Sequence, residues 1–154
     1  MYELICTALR ENGYHQYELS NFSLKGRESK HNLKYWLGDE YIGLGASASS
    51  LYKNTRYTNL YDFNTYIETF EKTDVQHLTA RDQMSEFMFL SLRLTAIGAV
   101  KKDFQSRFGI SIEDAFGDAI QKHLANGMLK ECGNRYILAE KAYYVSNTIL
   151  CDFV

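Results

Sequence analysis

The chain opens on "MYELICTALRENGYHQYEL", a pattern that cannot fold without neighbours. Met1, Leu4, Ile5, Ala8 and Leu9 recur at the period of an amphipathic helix over residues 1–12, and Gly13 is a fitting stop. "YHQYEL" follows at once and is β-prone. A helix joined to a strand through one glycine is half of a β/α repeat, the unit of parallel sheets and barrels. A parallel strand needs partners on its edges and helices on its faces. Nothing ahead of this strand supplies them, so the sequence predicts the carboxyl-terminal piece of something longer.

Further along, the periodicity changes twice. Ser20 to Asn32 reads as a polar loop, then "YIGLG" and "SASSLY" read as short strands, with "KNTR" turning into "YTNL". From Asp62 the period becomes helical: Phe63, Tyr66, Ile67 and Phe70 mark a short helix, and Thr79 caps a longer one through about Ile97, ended by Gly98. A helix with Phe104 and Phe108 stops at Gly109, and Ser111 caps the next, 112–126. "MLKE" and "RYIL" form a hairpin around Cys132-Gly133-Asn134, and Val145, Ile149, Leu150 and Phe153 line a last helix. The predicted fold class is α+β. Residues 1–60 form the terminal β/α piece of a partial barrel with a short β-hairpin, and residues 61–154 a mostly helical, winged-helix-like domain.

A winged-helix layout invites a DNA-binding reading, which charge opposes. The helix that would enter the major groove exposes Glu113, Asp114 and Asp118 against Lys122 and a neutral His123, and 101–138 holds six cations against five anions. Phosphate neutralisation needs more than that, so no nucleic-acid partner is expected; the alternative function is a winged-helix module that docks protein or nucleic acid. Cys6, Cys132 and Cys151 have neither a paired nor a zinc spacing and read as reduced, mostly buried thiols. No apolar run approaches membrane-spanning length and no signal-peptide pattern opens the chain, which makes a cytoplasmic location the expectation.

The densest chemistry lies at "SKHNLKYW". Residues 21–36 carry Lys25, Arg27, Lys30 and Lys34 against Glu28 alone, the most basic window of the chain. A flat aromatic ligand fringed with carboxylates would use planar side chains (Tyr35, Trp36) for its face, cations (Arg27, Lys30) for its acids and an imidazole (His31) for a metal at its centre. A porphyrin fits that description. The small residues of "GLGASAS" would let backbone approach such a ligand. The other reading is structural: His31 and Asn32 holding a loop by hydrogen bonds, and Trp36 as core.

"GYHQYELSNFSLKGRESKHNLKYWLGDEYIGLGASASS" resembles the signature of the oxygen-independent coproporphyrinogen III oxidase-like proteins, the radical SAM group that includes the haem chaperones. Y-E-x-S-N-F and H-N-x-x-Y-W occur in that order, and "EFMFLSLRL", "FQSRFG" and "NGML" resemble the carboxyl-terminal domain of the same proteins. The resemblance implies a partial barrel binding a 4Fe-4S cluster and S-adenosylmethionine, whose C-x-x-x-C-x-x-C ligands are not in this chain. By the motif match His31 is the candidate haem-iron ligand, with Asn32, Tyr35 and Trp36 shaping its pocket. Where relatives often read Gly-Ala-His after the glycine run, this chain has Ala48-Ser49, and Ala139 and Ala142 depart from the pattern ahead of the last helix. The implied function is a tetrapyrrole-binding surface, for haem or coproporphyrinogen III, alongside an upstream radical SAM domain. The 154 residues alone are expected to catalyse nothing; the alternative to a chaperone is part of a true oxidase of porphyrin biosynthesis.

Overall fold

The computed structural model describes every residue, Met1–Val154. Gly13 separates the first helix, α1 (Tyr2–Glu11), from the first strand, β1 (Tyr14–Glu18). The apolar stripe of α1 does not face a core: Met1 is 99% and Leu4 72% exposed, and the helix has no buried residue. β1 has no parallel partner. It pairs antiparallel with β2 (Asn21–Leu24), across a bulge between Gln16 and Glu18. The expected loop at 20–32 is thus a turn, a strand and the start of a helix. Polar residues hid them: Asn21 and Ser20 bond back to Glu18 to close the turn, and α2 (Lys30–Trp36) starts where the Ser29 hydroxyl accepts from the Asn32 amide.

β3 (Ser49–Tyr52) and β4 (Thr55–Asn59) form the expected hairpin, turning on Lys53 and Asn54, both at positive φ. "YIGLG" contributes no strand, only a single bridge between Tyr41 and Leu51. α3 (Phe63–Thr69) is capped by Asp62, and β5 (Lys72–His77), hidden by its polar composition, completes the sheet in the order β3-β4-β5. The apolar face of α3 is open, with Phe63, Ile67 and Phe70 exposed.

α4 (Ala80–Ser91) starts at Thr79, whose backbone and hydroxyl bond the Asp82 carboxylate while Asp82 N–H bonds Thr79 Oγ1. It ends well short of Ile97. Leu92 and Leu94 continue the apolar pattern in a turn, both fully buried, so burial periodicity outlasts helical geometry there. β6 (Ala99–Val100), α5 (Lys101–Phe108), α6 (Ile112–Ala125), β7 (Leu129–Glu131) and β8 (Arg135–Leu138) follow, with sheet order β6-β8-β7. The single expected last helix is a 3₁₀ turn (Glu140–Val145), α7 (Ser146–Leu150) and a second 3₁₀ turn (Cys151–Phe153). Ala139 at its start offers no side-chain cap, and Val145 is exposed rather than inward.

Packing does not divide at residue 60. Met1–Gly38 packs with Met84–Val154 as one unit, and Asp39–Gln83 forms the other. The β5–β4 pairing ties residues 72–77 to the hairpin, while backbone bonds from Leu19 N–H to Arg93 C=O and Thr95 N–H to Tyr17 C=O tie the first residues to the last. The first unit's core joins Leu19, Met88, Leu92, Phe104, Phe116, Ile120, Leu138, Leu150 and Phe153. Phe104, Phe108, Phe116 and Phe153 meet mostly edge to face. Each such buried side chain stabilises the unit by about 1.5–3 kcal/mol. No helix is long and apolar enough to cross a membrane.

Candidate functional site

Seven residues of helix, Lys30–Trp36, carry every predicted site residue except Arg27, and helical geometry splits them. Residues four apart share a face, so His31 pairs with Tyr35 and Asn32 lies over Trp36. The His31 and Tyr35 rings meet edge to face at 5.0 Å, and His31 is exposed. Arg27, in the turn where its N–H donates to Leu24 C=O, and Lys30 are also exposed. Glu28, the single acid of this window, is engaged: its Oε1 lies 2.8 Å from His15 Nε2 and accepts the Gly26 amide. Those hydrogen bonds, led by backbone N–H groups, hold its carboxyl below the usual range.

The other pair anchors the helix. Asn32 Nδ2 donates to the Tyr17 hydroxyl at 3.4 Å, and the Arg93 guanidinium lies over the Trp36 ring at 4.5 Å. Trp36 is half-buried, neither an open platform nor locked in hydrocarbon, and one face of its indole is taken by Arg93. Arg93 in turn lies 3.6 Å from Glu18, a carboxylate with no solvent exposure. Tyr17 and Glu18 were visible in the sequence as part of Y-E-x-S-N-F; Arg93 lay in "EFMFLSLRL", but nothing there tied it to Trp36, since only the turn after α4 brings it here.

Other expectations change. Gly43 serves the fold rather than a ligand, since a Cβ there would lie 2.3 Å from the Ser49 carbonyl. Cys132 and Cys151 are exposed, not buried, and Cys6 is half-buried; all three are free. No group of three or more His, Cys, Asp or Glu side chains gathers to hold a metal ion. On α6, Lys122 and His123 both reach Asp152 Oδ2, at 2.6 and 2.7 Å. Glu113 meets Lys101 at 2.7 Å and accepts from the Tyr136 hydroxyl. Burial opposes the Lys101 charge, but hydrogen bonds to Glu113 and Glu131 outweigh it and raise the ammonium above its ordinary range.

Residues 78–145 match the family model of the HemN C-terminal domain. The whole chain is similar to the heme chaperone HemW of Lactococcus lactis, at 35% identity over 157 residues and 41% of that protein. The heme chaperone HemW of Bacillus subtilis is 33% identical, again over the whole chain and 42% of the relative. The chain thus spans about two fifths of the length of the curated relatives it matches. In fold it is similar to the Escherichia coli coproporphyrinogen III oxidase HemN, a radical SAM enzyme, with a TM-score of 0.75 at 13% identity over 99% of this chain and 39% of that one.

Proposed function

The chain is the counterpart of the carboxyl-terminal region of HemN- and HemW-like radical SAM proteins, and from that premise we propose that α2 supplies a tetrapyrrole-binding surface for a heme chaperone. His31 contacts the metal, Tyr35 lies against the ligand's face or edge, and Arg27 and Lys30 neutralise its carboxylates. Asn32 and Trp36 hold the helix in place from behind. The observation that carries this reading is the exposed imidazole: His31 stands open beside two exposed cations with the half-buried Tyr35 ring edge-on to it, while the asparagine and tryptophan are tied to Tyr17 and Arg93. A chaperone is favoured over an oxidase because the relatives at 35% and 33% identity are named heme chaperones, whereas the likeness to the oxidase is one of fold.

The cluster and S-adenosylmethionine of such proteins supply one-electron chemistry, and their ligands lie outside these residues. What this chain contributes is binding and orientation. Hemin titration followed at the Soret band tests it: the wild-type chain should give a bound spectrum that His31→Ala loses or changes. Identical titrations of the two, or no bound spectrum in the wild type, would overturn the assignment. Turnover of coproporphyrinogen III by the whole protein with its cluster reconstituted would move it to the oxidases.

A further inference from the structure

Y-E-x-S-N-F and H-N-x-x-Y-W are separate in sequence, and the proposed surface uses only the second. In the structure the first motif is the mount for the second. The bulge between Gln16 and Glu18 breaks the alternation of β1, so that consecutive residues Tyr17 and Glu18 are both buried. Each reaches one side of the anchoring pair on α2. Tyr17 accepts the Asn32 amide. Glu18 acts through Arg93: its Oε1 accepts Ser20 N–H at 2.9 Å and Asn21 Nδ2 at 2.6 Å, while Oε2 is left facing Arg93 Nη2. The E-x-S-N spacing therefore satisfies one carboxylate oxygen within the turn and leaves the other for a cation.

Arg93 is fixed from both ends. Its carbonyl accepts the Leu19 amide, two residues on, Thr95 N–H donates to Tyr17 C=O, and its guanidinium lies over Trp36. A guanidinium fits this place as an ammonium would not, because a planar cation can lie flat on an indole and still present an edge to a carboxylate. Two buried nitrogens of the assembly, Arg93 Nε and Trp36 Nε1, have no hydrogen-bond partner, and Glu18 Oε2 has the Arg93 ion pair alone. A buried polar atom left so costs about 1–3 kcal/mol, which is unexpected in a cluster serving stability alone.

We propose that Arg93, held by Glu18, is a positioning residue that sets the orientation of the Trp36 indole and with it the His31–Tyr35 face of α2. The proposal rests on the tetrapyrrole reading for its purpose, but not for its physics. Trp36 is the chain's single tryptophan, so its fluorescence reports the stack without any ligand. In Arg93→Gln, shown folded by circular dichroism, Trp36 emission shifts to longer wavelength and acrylamide quenches it more readily. Hemin affinity falls about 2- to 30-fold, the range a cation–π contact spans. Arg93→Lys, which keeps the charge but not the plane, gives intermediate emission and affinity, and is read in place of Arg93→Gln should that variant not fold. Wild-type emission and affinity in the folded variant would overturn the proposal. If hemin fails to bind even the wild type, the tetrapyrrole reading falls, while the emission comparison still decides whether Arg93 positions Trp36.

Discussion

Gly98→Ala should be among the most damaging single-methyl changes available in this chain. Gly98 sits between Leu94, whose carbonyl its amide meets at 2.9 Å, and β6, at φ +65. A side chain there incurs the left-handed backbone penalty of about 1–2 kcal/mol. The larger effect is steric: the new Cβ would lie 2.1 Å from the Tyr136 carbonyl and 2.5 Å from Ile137 Cγ2, where real contacts essentially never fall below 3.0 Å. Backbone cannot swing aside as a flexible side-chain end does, so β8 must retreat from β6, an overpacking cost of about 1–3 kcal/mol. The sum is about 2–5 kcal/mol. Gly109→Ala is the control, at φ +78 with nothing within 4 Å, and should show the backbone penalty alone. Urea unfolding followed by far-UV circular dichroism gives both values. If Gly98→Ala costs no more than Gly109→Ala, the β6–β8 contact is compliant and the steric reasoning is wrong.

Ser111→Ala should destabilise the first unit by about 1 kcal/mol in the same assay, since Ser111 Oγ accepts the Asp114 amide while the Asp114 carboxylate bonds back to Ser111. Asp152→Asn should lower stability at neutral pH by removing the negative charge that Lys122 and His123 share. Those two hydrogen bonds, Lys122 first, hold the Asp152 carboxyl below its ordinary 3.8. Its contribution is therefore fully present above pH 3.8 and fades as the pH falls through the lower folded value, so the two proteins' stabilities should converge in acid. A gap that widens on acidification would contradict that sign.

Much of the second half was legible because its punctuation is strong. Ser111, Gly109 and the Cys132-Gly133-Asn134 turn each act through backbone geometry within a few residues, and the elements they bound, α5, α6 and the β7–β8 hairpin, lie where expected. β2 and β5 were not legible. "NFSL" and "KTDVQH" are held by ladder hydrogen bonds that any backbone can make, with few apolar residues to mark a face. α1 shows the converse failure: its stripe gives the helix, but a stripe does not say what it packs against, and here it is exposed. At the site, residue types named the chemistry, but the helix Lys30–Trp36 was not legible, its first residues reading as loop. Which of His31, Asn32, Tyr35 and Trp36 face outward depended on Tyr17 and Arg93, distant in sequence.

By itself, then, the sequence determined what is local: many helix starts and stops, the hairpins with glycine or asparagine turns, and one basic, aromatic window carrying an imidazole. Those follow from dihedral preference and from hydrogen bonds closed within a turn or two. The tertiary structure decided what depends on partners far along the chain: that Met1–Gly38 packs with Met84–Val154, that Glu18 is buried against Arg93, and that Arg93 covers one face of Trp36. A buried carboxylate is tolerable only when its cation arrives, and no pattern of residues at 17–21 records that the cation is residue 93.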